Sequence, residues 1–460
     1  MGQKPELEPG ELEAGLSVAR AQRVAIFVVA YNAEAHIRDT LRRIPPELHP
    51  LLASIYVIDD SSVDATTQVA RELASEFPKL RVFTTPHNLG YGGNQKLGYR
   101  YAIQQEFDVV VLLHGDGQYA PEILPRLLIP FAEPEVAAVF GSRMMVKGAS
   151  RRGGMPLYKR VGNRILTLME NKLLGGELSE FHSGYRAYRV SNLAKMPFVH
   201  NTDDFHFDTE IIIQLLTRKL KIVEVPIPTY YGDEICHVNG LAYAFNCIKT
   251  IFRAKANGVH LVYHPKFDLE DEHADYEFKE APTSLHQHIL KMETPAGHRV
   301  LELGAGKGDI GLSLHEKGAK VWAVDQVKPD SAFPYDFLEE DLDRAFSRPL
   351  VERMGGRVDM VVALDVIEHL KQPERSITEI KRTLSQSGTL VVSTGNVAYL
   401  PLRLMLMFGQ FNYGKKGILD LTHKRLFTIR SFRRTLEGEG FRVESVRGFG
   451  PPIQANSASW

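Results

Sequence analysis

Two series of short apolar runs, separated by one acidic segment, constrain the fold of this chain more than any other feature of its sequence. Each run is rich in β-branched and other apolar residues, and helical patterns lie between the runs. The first series occupies residues 24–30, 54–58, 81–84 and 109–113, and the second occupies 299–303, 320–324, 358–363 and 389–393. Such alternation is typical of parallel sheets covered by helices. The sequence therefore predicts an α/β protein that is a fusion of two α/β domains, because the halves show no mutual repeat.

The acidic segment, residues 265–282, marks the predicted boundary. It carries seven acids against Lys266 and Lys279 and has no clear apolar period, which is typical of a solvated linker. Domains are therefore expected over residues 22–264 and 283–460. Residues 1–21 hold four glutamates and no apolar core segment. They are predicted to be a disordered lead-in, and neither a signal peptide nor a transit peptide.

Charge and hydropathy exclude several classes of protein. Lys and Arg total 55 against 56 for Asp and Glu, a net charge of -1, so no nucleic-acid partner is expected. No stretch reaches the roughly 20 apolar residues that a membrane span needs. Only two cysteines occur, which excludes a disulfide scaffold and fits a reducing compartment. A cytoplasmic protein is expected, with peripheral contact at the inner face of the membrane left open.

In the second half, a strand runs into a glycine-rich turn that opens a helix. Glu302 precedes Gly304, Gly306 and Gly308, and such a turn lets the backbone approach a ligand closely. Asp325, at the end of the next strand, is placed to accept hydrogen bonds from ribose hydroxyls. This spacing alone also suits a dinucleotide-binding fold.

Together with Asp341-Leu342 and the run 359–370, these residues make the region 283–448 similar to the class I S-adenosylmethionine-dependent methyltransferases. The resemblance implies a Rossmann-like domain with S-adenosylmethionine as its cofactor. It assigns Gly304 and Gly306 to the methionine part of that cofactor, Asp325 to the ribose, and Asp341 with Leu342 to the adenine.

Two histidines fall where that family builds its substrate side. His369 and His423 are either general bases for a hydroxyl acceptor or structural residues. Glu368 beside His369 offers too few ligands to predict a metal. Between these histidines, residues 397–411 are largely apolar. They form either a helix packed on the core or a lid that touches the acceptor or a membrane.

In the first half, polar and glycine-rich segments follow three of the predicted strands. They are Tyr31-Asn32, Asp59-Asp60 with the next six residues, and His114-Gly115-Asp116-Gly117-Gln118-Tyr119; a further glycine-rich loop occupies residues 87–96. Carboxylates at the carboxyl ends of strands face the crevice in which open α/β sheets bind nucleotides. The alternative for Asp59 and Asp60 is capping of the helix that follows.

With Gly141-Ser142-Arg143, Ser183-Gly184-Tyr185-Arg186 and Phe207-Asp208-Thr209-Glu210, residues 22–235 resemble the family 2 glycosyltransferases, above all the dolichol-phosphate mannose synthases. The resemblance implies an inverting enzyme of the GT-A type that takes a nucleotide-sugar donor and a glycan or polyprenyl-phosphate acceptor. Asp59 or Asp60 would recognise the base, and Asp116 with Gln118 would hold a divalent cation. His114 replaces the first Asp of the usual Asp-x-Asp motif, and a His, Asp and Gln set favours manganese over magnesium.

The first half also contains a basic run without an acid, from Arg143 to Arg164. It is either an anion site, for the donor diphosphate or a lipid-linked phosphate, or a solvated loop. Tyr31 and Arg186 are further donor-binding candidates. Asp208 and Glu210 are either catalytic or helix-capping residues, and a phosphate acceptor needs no base because it is already ionised. Residues 241–256 form an amphipathic helix that packs on the core or lies on a membrane.

The sequence as a whole predicts a bifunctional enzyme of glycan biosynthesis, with a glycosyltransferase domain followed by a methyltransferase domain. The alternative is a scaffold whose first half binds a nucleotide-sugar without turnover, because His114 stands in place of an Asp, and whose second half methylates.

Overall fold

The computed structural model describes residues 7–229, 240–258, 262–269, 285–292, 295–328, 333–414 and 417–449. The chain divides into two compact units, residues 1–255 with 264–269, and residues 256–263 with 270–460. Each unit is built on its own sheet, and the two α/β folds predicted from the apolar runs are confirmed.

The first unit has a seven-stranded sheet in the order β3-β2-β1-β4-β6-β5-β7. Its strands are β1 Val24–Ala30, β2 Ser54–Asp59, β3 Leu80–Thr84, β4 Val109–His114, β5 Val136–Ser142, β6 Arg186–Arg189 and β7 Lys221–Pro226. Strand β6 is antiparallel to both of its neighbours, whereas the other pairs are parallel. Strands β1 and β2 are completely buried, because helices cover both faces of the sheet. This burial explains their continuous apolar sequences.

The helices of the first unit are α1 Glu11–Ala21, α2 Ile37–Arg42, α3 Thr66–Glu72, α4 Gly90–Gln104, α5 Leu124–Leu128, α6 Ala149–Arg152, α7 Leu157–Leu174, α8 Val190–Leu193, α9 Phe207–Thr217 and α10 Gly240–Gly258. Two apolar clusters pack on the opposite faces of the sheet. In the described part of the chain, no helix combines the length and the apolarity that crossing a bilayer requires.

Helix α1 corrects the expectation of a disordered lead-in for residues 11–21, whereas residues 1–6 lie outside the described residues. Leu16 and Ala19 are buried in the core, and the Arg126 guanidinium donates to both carboxylate oxygens of Glu11 at 2.8 and 2.6 Å. A Cβ on Gly15 would lie 2.5 Å from the Pro125 carbonyl oxygen, so the glycine permits close packing against α5. The acidic composition of this segment concealed its apolar face.

The second unit has a five-stranded parallel sheet in the order β10-β9-β8-β11-β12. Its strands are β8 Arg299–Leu303, β9 Lys320–Asp325, β10 Asp336–Glu339, β11 Val358–Ala363 and β12 Leu384–Val392. Its helices are α11 Leu285–Lys291, α12 Asp309–Glu316, α13 Ser347–Met354, α14 Pro373–Thr383, α15 Leu400–Met407 and α16 Ile429–Gly438. The carboxyl ends of β8, β9 and β11 therefore meet at one edge.

The first residues of the segment expected to be a linker pack within the first unit. Phe267 is buried with Ile213 and Ile251, and the Lys266 ammonium forms a buried ion pair with Glu210. Residues 270–282 lie outside the described residues. The domain boundary is therefore proposed to fall after Leu269.

Lys266→Ala is expected to destabilise the first unit by about 3–5 kcal/mol, because it leaves the Glu210 carboxylate buried without its cation. Lys221→Ala is the matched control, since Lys221 pairs with Glu133 at the surface and such pairs contribute about 0–1 kcal/mol. Urea unfolding of both full-length variants measures the two costs. Equal costs would show that the Lys266 contact contributes no more than a surface ion pair.

Candidate active sites

The carboxyl ends of β1, β2 and β4 lie side by side in the first sheet. Ala30 pairs with Asp59, and Val29 pairs with His114. The loops that carry Tyr31, Asp60 and Asp116 therefore leave the sheet at the same edge. The structure brings these sequence candidates together at the position where open α/β sheets form a ligand crevice.

Asp59 and Asp60 are both buried and accept hydrogen bonds from their own surroundings. Asp59 accepts from the Ser62 amide at 3.3 Å and from the hydroxyls of Ser62 and Thr67. Asp60 accepts from the Leu89 amide at 2.8 Å. These carboxylates therefore shape the turn after β2 and the start of the glycine-rich loop, a role in addition to the base recognition expected for one of them.

The glycine-rich loop packs tightly against the chain that precedes α9. A Cβ on Gly92 would lie 2.3 Å from the Thr202 carbonyl oxygen, and the Gly92 amide donates to the Asp203 carbonyl at 2.7 Å. The absence of a side chain at Gly92 therefore allows the start of α4 to pack against residues 202 and 203.

Asp116 lies on a tight turn just beyond β4. Its Oδ1 accepts from the Gln118 amide at 3.0 Å, and Gly117 takes the left-handed backbone conformation with φ of 75°. No group of three or more His, Cys, Asp or Glu side chains that could hold a metal occurs among the described residues. Asp116 with Gln118 still fits a cation that is completed by substrate phosphates, because Mg²⁺ is commonly held by only one or two carboxylates besides the phosphates.

A hydrogen-bonded network links His114 to Asp208. The Tyr91 hydroxyl donates to Asp208 Oδ2 at 3.1 Å and lies 3.3 Å from His114 Nε2, while Gln95 Nε2 donates to Asp208 Oδ1 at 3.2 Å. Since the Tyr91 hydroxyl donates to Asp208, its oxygen accepts a hydrogen bond from His114 Nε2. Burial lowers the pKa of His114, although the nearby Asp116 and Asp208 carboxylates oppose this. The ring nitrogen Nε2 is therefore used within the protein, and only Nδ1 is left for the expected cation.

The two arginines expected to bind the donor are each paired with a buried carboxylate. Arg186 Nη2 lies 3.6 Å from Asp208 Oδ2, and Arg143 Nε donates to Glu180 Oε1 at 3.0 Å. Sequence reasoning missed Glu180, although it stands three residues before the Ser-Gly-Tyr-Arg motif. Both guanidinium groups thus have much of their charge compensated before any ligand binds.

Glu210 does not join the Asp208 network. Its Oε2 accepts from the Thr202 amide at 2.6 Å, and its Oε1 faces Lys266. Asp208 and Glu210 therefore have different hydrogen-bond and ion-pair partners. Only Asp208 is connected, through Tyr91 and His114, to the edge of the sheet that carries Asp116.

The basic run is accompanied by apolar side chains that α7 exposes. Leu157, Tyr158, Ile165 and Leu168 are 64, 73, 55 and 67% exposed, among the exposed basic residues Arg151, Arg152 and Arg164. Helix α10 likewise exposes Leu241, Phe245 and Phe252 beside Lys249 and Arg253 while burying Cys247 and Ile251. Each helix thus packs on the unit with one face and leaves an apolar and basic face exposed.

In the second unit, the glycine-rich turn lines a cavity of about 340 Å³, within the usual size of small-molecule sites. Of the residues expected to bind a cofactor or substrate, the lining includes Glu302, Gly304, Gly306, Asp325, Leu342 and His369. It also includes His286, Asp343 and Lys424, which sequence reasoning did not single out. Gly308, Asp341 and His423 are not part of this lining.

The turn is held against the end of β9. The Gly306 amide donates to Asp325 Oδ2 at 2.8 Å, and Gly306 has φ of 54° with no atom within 4 Å of an added Cβ. By contrast, a Cβ on Gly304 would lie 2.4 Å from Val366 Cγ2. Gly304 therefore allows the turn to pack on the protein, while Gly306 keeps space open above it.

The cavity lining contains Asp343 and not Asp341, the residue that the resemblance assigned to the adenine. The Asp341 carboxylate caps its own turn, accepting from the Asp343 amide at 3.0 Å and pairing with Arg344 at 3.2 Å. Asp343 instead lines the cavity beside Leu342. A shift of two residues around a turn is beyond what a pattern of residue types resolves.

The Glu302 carboxyl is buried, with Oε2 lacking a hydrogen-bond partner. Loss of hydration raises the pKa of Glu302 to about 8, although the Gly311 amide acts against this. A folded-state pKa above the unfolded value means that the folded protein binds the proton more tightly. The stability that this group contributes is therefore fully present below about pH 4.5, and it is lost as the pH rises through about 8.

Glu302→Gln is expected to flatten that decline, since an amide has no proton to lose. The wild-type slope from this group is at most about 1.4 kcal/mol per pH unit. Free energies of unfolding of the second unit, measured with urea at pH 5 and pH 8, test this. Glu316→Gln, at an exposed position on α12, is the control, and an unchanged slope in Glu302→Gln would contradict the proposed origin.

His369 and His423 lie against one another, with ring centroids 4.6 Å apart. The Thr422 hydroxyl donates to Asp420 Oδ1 at 2.6 Å and lies 3.0 Å from His369 Nδ1. Because its proton is used on Asp420, Thr422 accepts from His369 Nδ1, which leaves His369 Nε2 basic. Burial lowers the pKa of His369, and His423 adds to this effect. The cavity wall thus presents a neutral imidazole.

Glu368 lies beside this pair and is fixed from two sides. Its Oε1 accepts from the Gly395 amide at 3.1 Å, and its carbonyl oxygen accepts from the Lys424 amide at 2.8 Å. Burial raises the pKa of Glu368 to about 7. Glu368 and His369 belong to no described group of three metal ligands.

Comparison with known proteins identifies both units. A family model described as Glycosyl transferase family 2 matches residues 25–196, and one described as Methyltransferase domain matches residues 273–446. An uncharacterized protein of Methanocaldococcus jannaschii is 31% identical over 212 residues, which are 45% of this chain and 82% of that protein.

Two relatives with named activities match to a similar extent. An undecaprenyl-phosphate mannosyltransferase of Micrococcus luteus is 29% identical over 206 residues, covering 45% of this chain and 82% of that protein. A UDP-N-acetylglucosamine--dolichyl-phosphate N-acetylglucosaminyltransferase of Methanococcus voltae is 28% identical over 222 residues, covering 46% and 86%. Both family resemblances seen in the sequence are confirmed. The chain belongs to glycosyl transferase family 2 through its first unit, and it joins that domain to a methyltransferase domain in its second unit.

Proposed function

We propose that the first unit transfers one sugar from a nucleotide-sugar to a polyprenyl phosphate with inversion, and that the second unit methylates a glycan-related substrate with S-adenosylmethionine. The observation that carries the first activity is the position of Asp116 at the carboxyl edge of the sheet, next to the network of His114, Tyr91 and Asp208. The two named relatives differ in their sugar, but both names contain a polyprenyl phosphate. The acceptor class is therefore proposed and the sugar is not.

In the sugar transfer, a phosphate oxygen of the acceptor attacks the anomeric carbon while the bond to the nucleoside diphosphate breaks on the opposite face. Asp116 and Gln118 would hold a divalent cation, which would stabilise the charge that develops on the departing diphosphate. Asp59 or Asp60 would recognise the base, and Tyr31 would contact the donor. No general base is needed, because the acceptor phosphate is ionised near neutral pH.

Asp208 is proposed to act as the electrostatic centre of this site. It accepts from Tyr91 and Gln95 and faces Arg186, so it fixes the guanidinium and, through Tyr91, the orientation of His114. Such preorganised groups stabilise charge without reorganising during the reaction. Glu210 has no comparable connection, which favours a structural contribution from its pair with Lys266.

The exposed faces of α7 and α10 support a lipid-linked acceptor. Both faces combine large apolar side chains with arginine or lysine, the composition of helices that lie at a membrane interface. Each basic residue close to an anionic surface contributes about 1 kcal/mol. Peripheral contact of the first unit with a membrane is therefore part of the proposal.

In the second unit, Asp325 is proposed to bind the ribose of S-adenosylmethionine, with Gly304 and Gly306 next to the methionine part. The cofactor would supply a methyl group on a positively charged sulfur. His369 Nε2, kept unprotonated by the hydrogen bond from its Nδ1 to Thr422, would accept the proton of a hydroxyl acceptor. His423 Nδ1 donates to the Ile418 carbonyl at 3.1 Å, but His423 does not line the cavity, which favours His369 as the base.

The two activities are tested on the full-length chain with one experiment for each unit. Release of nucleoside diphosphate from a nucleotide-sugar, dependent on added undecaprenyl phosphate and Mn²⁺ or Mg²⁺, is expected from the first unit. Donor binding without release would support the nucleotide-sugar-binding scaffold instead. For the second unit, calorimetric binding of S-adenosylmethionine is expected, and absence of binding would exclude the proposed cofactor.

A further inference from the structure

Helix α15 exposes almost all of its apolar side chains. Leu402 alone is buried, whereas Leu400, Leu404, Met407 and Phe408 are 64, 46, 79 and 79% exposed. These four follow the spacing i, i+4, i+7 and i+8, which places them on one face of a helix, opposite Leu402. A continuous exposed apolar face of this kind indicates a surface that is covered during function.

The segment that carries α15 is anchored at the wall of the cavity in the second unit. Asn396 and Phe427 form a parallel bridge, and the Val397 amide donates to the Phe427 carbonyl at 2.8 Å. Just outside these positions, the amides of Gly395 and Lys424 donate to Glu368, the neighbour of His369. Residues 396–427, named the excursion here, therefore leave and rejoin the unit next to the proposed methyl-acceptor side.

The excursion and the helix after it are strongly basic. Residues 396–438, which span the excursion and α16, contain eight basic residues and two acids, Asp420 and Glu437, in a chain with a net charge of -1. Six of the eight lie among the described residues and are exposed: Arg403, Lys424, Arg425, Arg430, Arg433 and Arg434. Lys424 pairs with Asp343 and Arg425 pairs with Glu374, so the remaining positive charge comes from Arg403 on α15 and from the three arginines on α16. A partner that covers this surface must therefore combine apolar character with negative charge.

We propose that the excursion docks on an anionic lipid bilayer, with the face of Leu400, Leu404, Met407 and Phe408 inserted at the boundary between headgroups and acyl chains. An amphipathic helix within a basic segment of the chain is attracted to such a surface both by apolar burial and by charge. The methyl acceptor would then be a lipid-linked glycan presented at the bilayer. This last step rests on the proposed function, whereas the docking itself does not require turnover.

The docking is tested with a tryptophan placed on the face itself. Phe408→Trp in the full-length protein is mixed with vesicles of phosphatidylcholine and about 30% phosphatidylglycerol that carry brominated acyl chains. After subtraction of the wild-type signal from Trp322 and Trp460, the added tryptophan is expected to be quenched, and less so in about 0.5 M salt. Val446→Trp, at a residue 52% exposed in the same unit, is the control and is expected to stay unquenched.

A second variant measures the energetic contribution of the face. The triple substitution Leu404→Asp, Met407→Asp and Phe408→Asp is expected to lower the vesicle partition coefficient by more than about tenfold, with binding of S-adenosylmethionine retained as evidence of folding. Three results would overturn the proposal. They are an unquenched Phe408→Trp in vesicle-bound protein, an unaltered partition of the triple variant, and a Phe408→Trp that is shielded from acrylamide without lipid, which would show that protein covers α15.

Failure of this proposal is distinguishable from failure of the proposed function. If α15 stays in water while diphosphate release and S-adenosylmethionine binding are normal, only the docking is refuted. If α15 is quenched by lipid but no S-adenosylmethionine binds, the docking stands and the methyl-transfer assignment falls.

Discussion

Asp116→Ala is expected to lower the rate of nucleoside diphosphate release by about 10²–10³-fold, the effect of removing one main source of charge stabilisation in a transition state. Asp116 supplies the carboxylate that follows β4, and no other acid stands in the loop from Gly115 to Ala120. Its loss removes the proposed anchor for a cation on the donor diphosphate. The measurement is acceptor-dependent diphosphate release at saturating donor and cation.

Two controls separate chemistry from folding. Asp39→Ala removes an exposed aspartate from α2 and is expected to leave the rate unchanged. S-adenosylmethionine binding by Asp116→Ala is expected to equal that of the wild type, since the substituted residue belongs to the other unit. A rate within twofold of the wild type would refute the cation site at Asp116.

Asp325→Ala is expected to weaken S-adenosylmethionine binding by at least about tenfold, because charge-assisted hydrogen bonds contribute roughly 1.5–3 kcal/mol each. The substitution removes the expected acceptor for the ribose hydroxyls. It also releases the Gly306 amide, which donates to Asp325 Oδ2 at 2.8 Å, so the turn itself loses a contact. Isothermal titration calorimetry on the full-length protein measures the affinity.

The matched control is Asp336→Ala, which removes an exposed aspartate from the amino end of the neighbouring strand β10. Its affinity is expected to match the wild type. An affinity of Asp325→Ala equal to that of the control would indicate that the cavity binds a ligand other than S-adenosylmethionine.

The sequence by itself determined the two α/β folds and the positions of the residues that end their strands. Periodicity and glycine placement are local properties, so the strand β8, the glycine-rich turn and Asp325 at the end of β9 follow from runs of a few residues. The same holds for β4 and Asp116. In a parallel sheet the carboxyl ends of such strands lie at one edge whatever the details of packing.

The tertiary structure decided what each polar side chain contacts. Arg143 is joined to Glu180, Asp208 to Arg186 and Glu210 to Lys266, across 37, 22 and 56 residues of sequence. The burial of the apolar face of α1 likewise depends on its packing against α5, and the acidic composition of the segment did not predict it. A buried charge takes whichever partner lowers its desolvation cost, and that partner is brought close only by the fold. Residue type and spacing therefore predicted which strand ends carry the candidate site residues, while long-range packing determined the partners of their side chains.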